Sequence, residues 1–306
     1  MPYKNDYTVS PPLPEAAYHL DTPLDEYDLN WVYHSIPPLL ETPGGVRLVP
    51  LIPSIHAKRL YDLFSLYPES YEYLPYGPFP SLSSFLTKLE LARRDPNTLL
   101  FAIYDLSIDF DRDAREEESV MEAGKGSREE RLAGIVGVKE SQEKNRMTEI
   151  GHVHIPPPFQ RTHVSTHSIA LLLNWTLSPP SPSHPHNLGL RRVQWFANPQ
   201  NVPSVLAAQK MGMRMEARNI RWERTLPPNR GKVALELPDF VEGERRVLEE
   251  GRGGGRHSSL LSLDWERWET PGEGREFVEG LLRREVRRRN VKDIEGLGIV
   301  EVSRER

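Results

Sequence analysis

The chain has 306 residues, with 39 Lys and Arg against 44 Asp and Glu, a net charge of -5 and no cysteine. That charge gives no general nucleic-acid footprint, and the lack of cysteine excludes disulfides, thiol nucleophiles and cysteine-ligated zinc. Residues 1–20 carry no apolar signal-peptide core, and no apolar run approaches the roughly 20 residues a membrane helix needs, so a soluble cytoplasmic or nuclear protein is expected.

Residues 1–43 are rich in Pro, Asp and Tyr and lack periodicity, which predicts an arm, pinned by Trp31, Tyr33 and Leu39. Val46 to Leu51 suits a first strand. Ile55 to Tyr67 reads as a helix with Leu60, Leu63 and Phe64 on one face, and Ser83 to Arg94 as a second with Phe85, Leu86 and Leu89 inward. Between them lies an aromatic turn, Tyr73 to Phe79. Leu99 to Leu106, Arg131 to Val138 and Arg146 to Ile155 read as strands. Ser107 to Glu130 is acidic and polar and predicts a mobile insertion. Residues 227–257 read as a second insertion, broken by Pro227-Pro228 and Gly253-Gly254-Gly255. The tail from 269 to 306 predicts a helix bearing Arg283, Arg284, Arg287, Arg288 and Arg289. That arginine run is more simply a solvated face than a nucleic-acid contact.

The stretch from Glu149 to Met213 is the most informative. A strand leads into Gln160-Arg161-Thr162-His163-Val164-Ser165-Thr166 and then an apolar helix, with Ile169, Leu172, Leu173, Thr176 and Leu177 in one stripe. Pro179-Pro180-Ser181-Pro182 stops that helix. Leu190 to Ala197 is a further strand. Asn201 is an N-cap type, Pro203 fits a first turn, and Gly212 fits the end of a second helix. Two helix N-termini thus follow two strand ends. Each offers unpaired N–H groups and a positive dipole end, and together they suit a pyrophosphate.

These residues resemble the acetyl-coenzyme A-binding core of the GNAT superfamily of N-acetyltransferases, over roughly residues 44–268. The family's pyrophosphate loop, Gln/Arg-x-x-Gly-x-Gly/Ala, is occupied by Gln160 to Ser165, with His163 and Ser165 in place of small glycines. The branch of ribosomal-protein N-terminal acetyltransferases is closer, matched by Gln160, Arg161, Thr162 and Thr166, by Asn201 and Ser204, by Gly212-Met213, and by Ser259 to Trp268. The resemblance implies an α/β (α+β) fold with a central mixed, mostly antiparallel sheet, splayed at the acetyl-coenzyme A site and flanked by helices. It also implies direct attack of an amine on the thioester in a ternary complex.

What such a reaction asks of residues can be stated position by position. The coenzyme would contact His154, Ile155, Gln160, Arg161, Thr162, His163, Val164, Ser165, Thr166, Asn201 and Ser204. Main-chain N–H groups on the strand containing Gly151 would polarise the carbonyl. Glu149 matches a glutamate frequent in the branch and is the first candidate for general base, with His152 and His154 as alternatives. The tyrosine that many members use on the second helix is absent, its slot holding Ala208, so Ser204 is the candidate donor to the sulfur. Tyr73, Tyr76 and Phe79 are candidates for the acceptor side, the acceptor being a small-molecule amine or a protein N-terminus. The pairs His152/His154 and His163/His167 lack a matching carboxylate motif, and no metal is expected. The alternative is a GNAT-fold protein that binds acyl-coenzyme A without catalysis.

Overall fold

The computed structural model describes residues 11–43, 45–109, 131–226, 240–250, 255–284, 286 and 289–290. Most of the stretch expected as a first insertion, much of the second and half of the tail, Arg287 and Arg288 included, lie outside the described residues. In chain order the elements are β1 (Leu40–Glu41), β2 (Val46–Pro50), α1 (Pro53–Ser65), α2 (Leu82–Arg94), β3 (Leu99–Asp105), β4 (Ile108–Asp109), β5 (Arg131–Gln142), β6 (Met147–His154), α3 (His163–Leu177), β7 (Arg192–Ala197), α4 (Val202–Lys210), β8 (Arg214–Thr225), α5 (Gly243–Glu250), β9 (Gly255–Asp264), α6 (Trp265–Glu269), α7 (Gly274–Leu282) and β10 (Arg289–Asn290). No helix among the described residues is long and apolar enough to cross a membrane.

Local chemistry explains the helix boundaries. Pro53 opens α1, where its missing N–H costs nothing. Ser81 and Ser84 form a reciprocal capping box at the start of α2. The Thr162 hydroxyl accepts from the Val164 N–H and begins α3, which is apolar almost all round and therefore lies in the interior.

Eight strands form one sheet in the order β1-β2-β3-β5-β6-β7-β9-β8. Every neighbouring pair is antiparallel except β6 with β7. A separate two-stranded ribbon joins β4 and β10 in parallel. One face of the sheet carries α3, α4 and α7 over a core that includes Val46, Phe101, Val138, Ile150, Trp175 and Leu263. The other carries α1 and α2 over Leu51, Ala102, Tyr104 and Ile135. The N-terminal segment is tied to the first face. Trp31 is buried against Trp175, and its indole N–H donates to Ser141 at 3.4 Å. The Tyr33 hydroxyl donates to the Met147 carbonyl, whereas Leu39 is exposed.

Two features depart from the sequence expectation. The strand β8 was not anticipated, and residues 255–257, expected in an insertion, belong to β9. The tail beyond Thr270 begins with α7, whose Val278 and Leu281 are buried in the same core as α3.

Two irregularities in β6 position the site. Its pairing with β7 covers only Met147 to Glu149 against Arg192 to Gln194, yet both strands continue, β6 to His154 and β7 to Ala197. Beyond Glu149 the two strands part. On the other side, Gly137 faces Gly151 while Ile135 faces His154, so β6 carries an extra residue. This is a bulge, which leaves one residue unpaired and bends the strand. His152 sits in it with φ of 52°, a left-handed value rare outside glycine. Opposite, Gly134 must be glycine: a Cβ there would lie 2.3 Å from the His154 carbonyl oxygen.

Candidate active site

The parting of β6 and β7 opens a cleft of about 130 Å³ through the sheet. Its floor is Glu149 to Val153 and Trp195 to Asn198, with Asn201 and Ser204 from α4 on one face and Tyr73 to Tyr76 with Lys88 on the other. The residues that start α3 and α4 therefore share a face, and the aromatic turn lies across the sheet from them.

Glu149 is 2% exposed and its Oε1 lies 3.0 Å from Lys139 Nζ, the residue directly opposite on β5. Burial pushes its carboxyl above the usual carboxylate range, and the Lys139 and Arg224 charges oppose that shift. Gly151 has a local reason: a Cβ there would come 2.9 Å from the Lys139 side chain, which crosses over the glycine. Close approach at Gly151 is made by Lys139.

His152 and His154 both project to the side of the sheet that carries α1 and α2, but into different surroundings. The His152 ring stands against Tyr76, its Nδ1 3.2 Å from the hydroxyl. Burial, with Lys88, Lys139 and Arg224 nearby, holds it well below the usual histidine range. It is neutral near pH 7 and a weak base. The His154 ring is stacked on Phe64 at 3.8 Å, hydrogen-bonded to Ser70, and lowered to about 3 by burial. Its side chain is a core element. Ile155 and Val164 are likewise buried, so only their main chains could face a coenzyme.

The loop before α3 is held from within. The Gln160 amide donates to the Ile155 carbonyl at 2.8 Å, and Thr162 donates to the Phe159 carbonyl. Arg161 is exposed with φ of 58°. The His163 ring points away from the loop: Nε2 lies 3.1 Å from the Gly45 carbonyl and 3.3 Å from Asp105. The non-glycine residue at that position thus anchors α3 to β2 and β3. His167 does the same one turn on, through the Thr42 hydroxyl at 2.8 Å. Ser165 and Thr166 are half-buried in the first turn, and Lys210 from α4 donates to Thr166 at 3.2 Å.

At the second helix, the Asn201 side chain accepts from the Ser204 N–H at 3.2 Å. The Ser204 hydroxyl accepts from the Trp195 indole at 3.1 Å, which leaves its own hydrogen available to a cleft ligand. Ala208 is fully buried, so that slot faces the core and offers no group to the cleft. Asn201→Ala should cost about 1 kcal/mol through the lost cap, checked by denaturant unfolding.

Tyr73 and Tyr76 line the cleft, whereas Phe79 packs on Tyr71 and Phe85 and does not. The sequence reading missed Lys88, Lys139, Arg224, Arg256 and Trp195 in the lining, and Lys210 at the start of α3. Only the facing pair Lys139/Glu149 had a local signal, since both flank one hairpin.

No protein-family model matches the chain, and no curated protein does either. Among solved structures it is similar to a probable GNAT-family acetyltransferase from Chromobacterium violaceum, with 22% identity, 87% of this chain and 100% of the other covered, and a TM-score of 0.55. It is similar to a GCN5-related N-acetyltransferase from Brucella melitensis, with 19% identity, 84% and 92% covered, and a TM-score of 0.56. The mixed, mostly antiparallel sheet flanked by helices is therefore the GNAT acetyltransferase fold.

Proposed function

We propose that the protein is an acetyl-coenzyme A-dependent N-acetyltransferase of the ribosomal-protein N-terminal acetyltransferase-like branch. The observation that carries this reading is the cleft where β6 and β7 part, which brings Glu149, the bulged strand and Ser204 together at the start of α4. Acetyl-coenzyme A would supply an activated thioester. The residues present fit it: α3 offers N–H groups at its first turn, flanked by Arg161 and Lys210, which suits a pyrophosphate.

Each step has a residue. Glu149 takes a proton from the amine, its raised carboxyl pKa making it a stronger base than a surface carboxylate. The amine nitrogen bonds to the acetyl carbon as the carbon–sulfur bond breaks. Main-chain N–H groups at the bulge stabilise the carbonyl oxygen. Ser204 would steady the departing sulfur by a hydrogen bond from its hydroxyl while keeping its own proton, the thiol's proton being the one that leaves the amine nitrogen.

Acetyl-coenzyme A at 100 times its dissociation constant should stabilise the protein by about 2.7 kcal/mol, read as a rise in melting temperature. Thiol release on adding an amine then tests turnover. The absence of any shift at millimolar coenzyme would remove the reading. Buried Ala208 in the usual tyrosine slot favours one alternative, a coenzyme-binding protein without catalysis. That alternative predicts the shift without thiol release for any amine.

A further inference from the structure

The half of the cleft facing α1 and α2 carries four cations that the transfer steps leave without a role. Lys88 comes from α2, Lys139 from β5, Arg224 from β8 and Arg256 from β9. Arg224 and Arg256 are directly opposite across the β8–β9 ladder, an arrangement in which like charges repel. The one carboxylate in the lining, Glu149, is paired with Lys139. Glu223 lies 3.4 Å from Arg224 and 4.0 Å from Arg256.

The arginines are under-satisfied. Arg256 is 6% exposed; its Nη atoms reach the Tyr73 carbonyl at 3.5 Å and Ser258 at 3.3 Å, the first at the limit of a hydrogen bond. The Nε atoms of both Arg224 and Arg256 are buried without an acceptor among the described residues. A buried charged donor left unmade is expensive. The Lys88 ammonium lies 4.9 Å over the Tyr76 ring, and the strongest charges acting on it are those of Lys139 and Arg224, of its own sign.

Resting on the acetyl-transfer reading, we infer that the acceptor is an amine bearing a carboxylate within a few bonds of the reacting nitrogen, and that Arg224, Arg256 and Lys88 bind that carboxylate. A guanidinium presents a fork of N–H donors that matches a carboxylate in two hydrogen bonds, which a lysine cannot reproduce. A diamine would bring a further positive charge against four of the same sign. The cations also assist the chemistry. Positive neighbours disfavour the ammonium form and so enlarge the neutral, nucleophilic fraction of a bound amine. The Lys88 ammonium itself is held below its ordinary range by burial, Lys139 and Arg224.

The carboxylate could belong to a free amino acid or to an acidic residue at a peptide N-terminus, and the test separates the two. Thiol release from acetyl-coenzyme A is measured with aspartate, an Asp-initiated tripeptide amide, the matching Asn-initiated tripeptide amide, asparagine amide and a linear diamine. The expected result is a kcat/KM at least about tenfold higher for one of the carboxylate acceptors than for its amide counterpart and the diamine. Aspartate alone, or the Asp tripeptide alone, identifies the source. Arg256→Gln should reduce the carboxylate-to-amide ratio by about tenfold, mostly through KM, and Lys88→Gln, on a half-exposed position, should reduce it less.

Equal or better use of the diamine or the amides would overturn the inference, as would an unchanged ratio in both variants. If coenzyme binds and no acceptor turns over, catalysis fails, and the melting temperature with coenzyme A plus aspartate or the Asp tripeptide still decides the anion site. Stabilisation by the carboxylate compound and not its amide, lost in Arg256→Gln, supports it; equal effects overturn it. If coenzyme causes no shift, the function reading itself falls and the inference with it.

Discussion

Replacing Glu149 by glutamine is expected to lower turnover by about 10²- to 10⁴-fold near neutral pH, the usual contribution of a positioned general base. The reason is its placement. The carboxylate lines the cleft, lies on the side of β6 that faces the acceptor wall, and is raised by burial toward the range where a base works at neutral pH. Wild-type turnover should rise as pH passes upward through that raised pKa. The variant lacks this limb and depends on the amine being neutral already, so its deficit should be largest above that pKa, narrow as pH climbs toward the amine's own pKa, and narrow again below it, where the wild type loses its base. Profiles from pH 6 to 9, with coenzyme affinity measured in parallel, check this. A uniform loss at every pH would assign Glu149 to structure.

The same pKa shift has a stability consequence of fixed sign. A carboxyl raised above its ordinary value of 4.5 keeps a proton in the folded state that the unfolded chain has released. Stability is therefore full below the unfolded value and declines as pH rises through the folded one. Glutamine at 149 has no such dependence. The melting temperature of the wild type should fall relative to the variant as pH rises from about 4.5.

The limits of the sequence reading have physical causes. Helices α1, α2 and α3 and strands β2, β3, β5 and β6 were legible because period and capping agree over whole elements. Thr162 and Asn201 were legible as cap types because that chemistry is local. What was not legible depends on pairing between distant segments. The strand β8 reads Arg-Met-Glu-Ala-Arg-Asn-Ile-Arg-Trp-Glu-Arg-Thr and is an edge strand, mostly solvated, whose charges mask its alternation. Since β8 was missed, its Arg224 and the facing Arg256 could not be placed together. That His152 lines the cleft while His154 is packed in the core depends on the bulge in β6, visible only in its register with β5. The role of His163 depends on Asp105 and Gly45, more than fifty residues earlier. A glycine-rich loop motif judged residue by residue cannot anticipate that a histidine there turns inward.

Ser204→Ala is expected to lower kcat by about 10²- to 10³-fold, as for other single donors to a developing anion. The hydroxyl accepts from the Trp195 indole, and that fixed interaction leaves its hydrogen to point into the cleft. A donor of this kind strengthens its hydrogen bond only as negative charge grows on sulfur, so it contributes to the transition state and little to ground-state binding. Coenzyme-induced stabilisation should therefore be almost the same in the variant. The loss also orphans the indole N–H of Trp195, which is 3% exposed, and should lower stability by about 1–3 kcal/mol without coenzyme. Ser204→Thr keeps the hydroxyl and should restore most of the lost stability and part of the lost turnover. If alanine lowers the melting temperature while kcat stays at the wild-type value, Ser204 serves only to satisfy Trp195, and the thiolate must be stabilised by another group.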